Sequence, residues 1–248
     1  MNQQSLPRVH ELIALIEDRS DPAAYFHNFD DSIKAEPSKA KVWFAREQEF
    51  QRLDTESWRY LKNEARPYLT SKQNSRGWEQ LISILNQARA YNHLFDIGCQ
   101  DIRFIPRAVI EGIKTPDLVG TLNGRRVVCE VKTINVSDIE TDRRNSGGVG
   151  ASSDVLEPGF FKKLKSDLNQ AKRQLDAHDN SDGCMHIAFV VPNFDDFLAE
   201  YKANYFQQID EYLGRETAPC LEVVFFNQIT TFHVKVALKN ASVINELG

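Results

Sequence analysis

Cysteine and methionine are scarce in this chain of 248 residues, at four and two copies, and glycine (12) and proline (9) are in ordinary supply. The cysteines, Cys99, Cys129, Cys184 and Cys220, stand far apart in apolar runs with no CxxC pair. That excludes a disulfide-stapled scaffold and a zinc ribbon, and predicts buried thiols. The glycine and proline content excludes collagenous and low-complexity chains. No apolar run approaches the ~18 residues of a membrane span. The opening Met1-Asn2-Gln3-Gln4-Ser5 lacks the basic flank and apolar run of a secretory leader, so no membrane association and a cytoplasmic location are expected. An excess of positive charge is missing too. Lys and Arg number 30 against 35 Asp and Glu, a net −5, which excludes attachment to nucleic acid by bulk electrostatics alone. The charge is uneven, however: residues 76–182 balance while 183–248 carry most of the negative excess, so a polyanion would prefer the middle of the chain.

Against these absences, 42% of the residues are hydrophobic, enough to bury a core and to form one large domain with an extension. Residues 1–72 read as a helical extension. Val9, Leu12, Ile13 and Ile16 recur at helical spacing, Asp21-Pro22 breaks the run, and aromatic-rich helical patterns follow near 39–52 and 54–66. Trp43, Phe44, Phe50, Trp58 and Tyr60 are too many large rings to leave solvated, so this extension is expected to form a helical layer packing partly on the core. Ser71-Lys72-Gln73-Asn74-Ser75 reads as a polar linker.

From residue 73 to 248 the expected order is α-β-β-β-α-β-α-β-β. Trp78, Leu81, Ile82, Leu85 and Ala88 mark a helix of about 76–93, followed by strands at about 100–106, 117–122 and 125–133. Residues 137–159, with Ser146-Gly147-Gly148-Val149-Gly150, form a polar loop expected to be mobile. Phe161, Leu164, Leu168, Ala171 and Leu175 mark a helix of about 160–178. A continuous apolar strand then runs from Met185 to Val191, and a helix is expected near 195–213. Strands at 221–226 and 229–238, turning at Asn227-Gln228, close the chain as a β-hairpin.

The chemistry concentrates around Asn123-Gly124. Asn-Gly between two apolar runs predicts a type I′ hairpin turn, which needs positive φ at both central residues. Leu122 then pairs with Arg125, and continuing the ladder sets Asp117 opposite Glu130, with Cβ atoms about 4.5–5.5 Å apart. Two like charges so placed need compensation, and a divalent cation supplies it. Lys132, two positions beyond Glu130, points to the same face, while Val127, Cys129 and Val131 form the other, taken as the core side.

Pro116-Asp117, twelve intervening residues and then Glu130-Val131-Lys132 resemble the signature of the PD-(D/E)XK nuclease superfamily, and the α-β-β-β-α-β order over about 76–191 agrees with it. The resemblance implies an α/β, restriction-endonuclease-like core with a mixed central sheet flanked by helices. It also implies a metal-dependent phosphodiesterase with Asp117, Glu130 and Lys132 catalytic, and Asp117 and Glu130 holding Mg²⁺ or Mn²⁺. Relatives often add an acid from the first helix, where Glu79 stands, with Asp96 and Glu111 as alternatives. The helix after the third strand carries Gln170 and Gln174. Position 174 departs from the Q-x-x-x-Y variant, which has Tyr there.

Nucleic acid, DNA ahead of RNA, is the expected partner, with its backbone gripped by Lys162, Lys165, Lys172 and Arg173 on that helix and by Arg143 and Arg144 in the loop before it. The alternative is a non-catalytic module on the same core that binds nucleic acid or protein. The oligomeric state, a homodimer included, is open at this stage. The six histidines show no ligand spacing.

Overall fold

The structure is a computed structural model that describes residues 5–70, 78–107, 114–135, 155–192, 202–215, 221–227 and 230–234. The chain divides into two compact units, Met1–Phe104 with Asp138–Val149, and Ile105–Ser137 with Gly150–Gly248. The linker expected near residue 72 lies outside the described residues, and the helix after it belongs to the first unit.

The first unit contains α1 (Pro7–Ile13), α2 (Phe29–Ala35), α3 (Pro37–Gln51), α4 (Thr55–Ala65), a 3₁₀ turn (Arg66–Tyr68), α5 (Glu79–Asp96) and the short strand β1 (Gln100–Phe104). Pro7 and Pro37 open α1 and α3, where the missing N–H costs nothing, and Asp54 caps α4 by accepting the Ser57 N–H at 2.7 Å. The rings of the extension pack within the first unit: Phe26, Phe29 and Trp43 meet edge to face or tilted with ring centroids 5.1–5.4 Å apart, and Trp43, Phe50 and Trp58 are buried. Helix α2 has no counterpart in the apolar pattern. Glu47 on α3 is buried and accepts the N–H groups of Arg8 (3.1 Å) and Val9 (2.9 Å), so α3 caps α1. Between α3 and α5, Glu49 is shared by Arg46 (3.0 Å) and Arg89 (3.1 Å), and burial together with the charge of Arg46 lowers the Arg89 guanidinium to about 9.

The second unit is mixed α/β. Its strands are β2 (Leu118–Leu122), β3 (Arg125–Ile134), β4 (Met185–Pro192), β5 (Glu222–Asn227) and β6 (Thr230–Val234), with α6 (Pro158–His178) between β3 and β4 and α7 (Lys202–Arg215) between β4 and β5. The sheet runs in sequence order from β2 to β6. The β2/β3 and β5/β6 pairs are antiparallel, whereas β3/β4 and β4/β5 are parallel. Two parallel steps in one direction put both crossover helices on one face. There Leu164, Leu168, Ala171, Leu175, Ile209 and Leu213 pack on Val128, Ala188, Val190, Val223 and Phe225.

Val127, Cys129, Ile187, Phe189 and Val224, on the other face, are also fully buried. This two-sided burial explains the unbroken apolar run of β4. It also revises the expectation for β3: the core is not confined to the Val127, Cys129 and Val131 side, because Val128 and Ile134 bracket Glu130 and Lys132 within the layer under α6.

Helix α6 begins at Pro158, inside the segment expected to be loop. The remaining expectations for that loop, its mobility included, fall on 136–154, outside the described residues. Of the helix expected near 195–213 the described part falls within α7, and of the strand expected over 229–238 the described part is Thr230–Val234. Cys99 and Cys129 are buried free thiols and Cys184 is half-buried; Cys220 lies outside the described residues. No helix among the described residues is long and apolar enough to cross a membrane.

The hairpin turn forms as expected. Asn123 (φ 51°) and Gly124 (φ 77°) are both left-handed, and the register runs from Leu122↔Arg125 to Leu118↔Cys129. A Cβ added at Gly124 would meet nothing within 4 Å, so backbone strain alone sets its cost. Gly124→Ala is expected to destabilise the protein by about 1 kcal/mol, read as a lowered melting temperature by circular dichroism. An unchanged melting curve would mean that the turn does not need the left-handed conformation.

Candidate active site

The main chain fixes Asp117 from two sides. Its N–H donates to the Cys129 carbonyl (3.1 Å), and its own carbonyl accepts the N–H of Ile105 (2.9 Å). The ladder ends at Leu118↔Cys129, so Asp117 is not simply the next rung opposite Glu130. Its N–H reaches the carbonyl already facing Leu118, and its side chain bends over so that Oδ2 accepts the N–H of Val131 at 2.7 Å. The carboxylate stands in for a main-chain acceptor beside Pro116, where the chain enters the strand.

Glu130 is 5% exposed. Its Oε1 accepts from Lys132 Nζ at 2.8 Å, and the same ammonium donates to Gln174 Oε1 on α6 at 3.0 Å. Glu130 Oε2 is buried and has no hydrogen-bond partner. Burial pushes Asp117 well above the usual carboxylate range, and the negative charge of Glu130 pushes it further; the Val131 N–H and the charges of Lys132 and Arg107 pull the other way. Glu130 is raised by burial, partly offset by the charge and hydrogen bond of Lys132. The two carboxyls therefore titrate as a pair, the charge of one opposing ionisation of the other.

An orphaned buried carboxylate oxygen beside a second acid is an unmet demand for positive charge, and the donor set is all oxygen, as Mg²⁺ and Mn²⁺ prefer. Among the described residues there is no group of three or more His, Cys, Asp or Glu placed to hold a metal. A cation here would rest on Asp117 and Glu130, with water and substrate oxygens completing its shell, the usual pattern for Mg²⁺.

The other expected residues are placed less directly. Glu79 opens α5 in the first unit, whereas Asp117 and Glu130 belong to the second. Asp96 is exposed and pairs with Arg52, and Glu111 lies outside the described residues. On α6, Lys172 is held by Asp176 at 2.6 Å. At 100° per residue, Lys165 and Lys172 lie about 180° around the helix from Gln174, so they border the flank turned away from Lys132. Lys162 and Arg173 are exposed, near the solvent side. Arg143 and Arg144 lie outside the described residues.

Two residues near the carboxylates have no role that the sequence alone assigns. Gln174 stands out only as half of an i,i+4 glutamine pair, with nothing to show that this flank meets β3. Arg107 follows a strand-ending proline, and its proximity in sequence to Asp117 is the one available hint.

No family model, curated protein or solved structure matches the chain.

The raised carboxyls carry a sign that can be tested. A group whose folded pKa exceeds its unfolded value stabilises the fold below the unfolded pKa and loses that contribution as pH rises through the folded pKa. In the metal-free protein Asp117→Asn, which keeps an acceptor for Val131, is expected to be more stable than the parent at neutral pH by on the order of 1–2 kcal/mol. The gap should narrow toward pH 4, where both acids begin to take up protons even in the unfolded chain. Thermal melts in EDTA from pH 4 to 8 test this, and a variant less stable than the parent across that range contradicts it.

Proposed function

We propose that the second unit is a metal-dependent nuclease domain of the restriction-endonuclease-like kind, with Asp117, Glu130 and Lys132 as its catalytic residues and nucleic acid, DNA foremost, as its substrate. The observation that carries this reading is the acidic pair, Asp117 half-buried and Glu130 buried with its Oε2 orphaned, capped by a lysine two residues along the same strand face. The antiparallel β2/β3 hairpin and the α6 crossover to a parallel β4 are in keeping with such a core.

Asp117 and Glu130 would hold Mg²⁺ or Mn²⁺. Bound there, the ion would lower the pKa of an attacking water and draw negative charge from the phosphate. Lys132 commits two of its three N–H donors, to Glu130 and to Gln174, which fixes the direction of the third. An ammonium held in this way stabilises the extra negative charge of the pentacovalent phosphate as it forms, so its role is electrostatic and not that of a base. Gln174 acts through Lys132 by holding that direction. The Val131 N–H keeps the Asp117 carboxylate turned toward Glu130 through the cycle.

Titration calorimetry with Mn²⁺ is expected to show binding that Asp117→Ala and Glu130→Ala abolish. In Mg²⁺, cleavage of labelled DNA and RNA should fall below detection in Asp117→Ala and by at least about 100-fold in Lys132→Ala. Cleavage that survives Asp117→Ala rules out this assignment. Absence of both Mn²⁺ binding and cleavage in the parent favours a non-catalytic module, a reading to which the satisfied Lys132–Glu130–Gln174 contacts also lend themselves.

A further inference from the structure

We propose that the Lys132 ammonium fills the place of a second cation at the Asp117–Glu130 site, so that the site takes one divalent ion and not two. The inference rests on the nuclease reading for the identity of that ion, Mg²⁺ or Mn²⁺, and goes beyond it in fixing the number.

The count begins with the carboxylate oxygens. On Glu130, Oε1 accepts from Lys132 Nζ at 2.8 Å, and Oε2 is buried with no hydrogen-bond partner. On Asp117, Oδ2 accepts the Val131 N–H at 2.7 Å. Each acid thus has at most one oxygen to give to a metal ion. A pair of ions about 3.5–4 Å apart would have to share these acids, and Glu130 can bridge them only by releasing the ammonium.

Lys132 is not free to step aside. Its Nζ also donates to Gln174 Oε1 at 3.0 Å, and α6 is fixed over β3 by Leu164, Leu168, Ala171 and Leu175. The lysine side chain is 12% exposed and that of Glu130 6%, so moving the ammonium off Glu130 strands a charge where little water reaches it.

Charge gives the same count. One divalent ion and one phosphodiester bring the two carboxylates and the ammonium to neutrality. A second ion leaves two uncompensated positive charges beside an apolar layer that includes Val128, Ile134 and Leu164. Lys132 then supplies, from the chain itself, the positive charge that the second ion of a two-ion site brings to the reacting phosphate.

Mn²⁺ binding at about pH 8, where both carboxyls have mostly ionised, tests the count by titration calorimetry and by electron paramagnetic resonance of frozen samples. Ions that persist in Asp117→Ala are bound elsewhere and are subtracted. The parent is expected to take one Mn²⁺ at the site, with the resolved hyperfine pattern of an isolated ion. Lys132→Met keeps the length of the side chain, frees Glu130 Oε1 and removes the repulsion. It is expected to bind the first Mn²⁺ at least about 10-fold tighter and to admit a second, seen as an exchange-coupled pair. Lys132→Arg keeps the charge and should stay at one ion. Cleavage should fall in Lys132→Met even as binding tightens, an opposition that a general loss of structure does not produce.

A coupled pair of Mn²⁺ ions in a parent that cleaves overturns the inference and leaves the nuclease reading standing. So does a Lys132→Met protein, folded by its melting curve, that takes one ion with the parent's affinity. One ion in the parent and two in Lys132→Met, without cleavage of DNA or RNA, support the count and sink the enzyme reading. A parent that binds no more Mn²⁺ than Asp117→Ala sinks both.

Discussion

Two carboxyl groups that repel each other are held together inside an apolar layer, and the second unit is arranged around the groups that keep them there. Asp117 gives one oxygen to the Val131 N–H, Glu130 gives one to Lys132, and Glu130 Oε2 is left without a partner. Burying a carboxyl without full compensation costs free energy that the surrounding core must offset. It does so with fully buried side chains on both sides of β3: Val127 and Cys129 on one face, Val128 with Leu164, Ala171 and Leu175 of α6 on the other. An acid pair retained against this penalty is the kind of local destabilisation that a functional site tolerates and a purely structural core avoids.

Helix α6 links the apolar packing to the polar cluster. One sector of the helix is core, and the adjoining sector brings Gln174 onto Lys132. Sliding or rotating α6 would therefore disturb the Leu164–Leu175 packing and the direction of the ammonium together. The cations on the remaining faces of the helix are turned elsewhere, with Lys172 tied to Asp176 and Asp176 in turn 3.2 Å from His186 on β4. That ion network braces the C-terminal turn of α6, the turn that carries Gln174. Among the described residues, Lys132 is the cation in contact with the acids.

Much of the local structure is legible in the residues. The Asn123-Gly124 turn fixes the β2/β3 register as far as Leu118↔Cys129, and the period of two puts Glu130 and Lys132 on one face. The apolar stripes locate α5 and α6. Extrapolating the ladder one rung further does not hold, because the Asp117 N–H returns to Cys129 and its side chain captures Val131. The core side of β3 escapes the sequence for a related reason. Alternation reports that two faces differ, but a strand in a sheet buried on both sides keeps apolar residues on each.

The sequence by itself determined the hairpin, its register as far as Leu118↔Cys129, the shared face of Glu130 and Lys132, and the sites of α5 and α6, since all of these follow from steric rules acting within a few residues. Tertiary structure alone decided which flank of α6 meets Lys132, that Glu130 Oε2 is sealed off, that α5 with Glu79 folds with the first unit, and that the Ile105 N–H meets the Asp117 carbonyl. Each of these depends on distant segments coming together, and helical or strand periodicity states which residues share a face without stating what that face will meet.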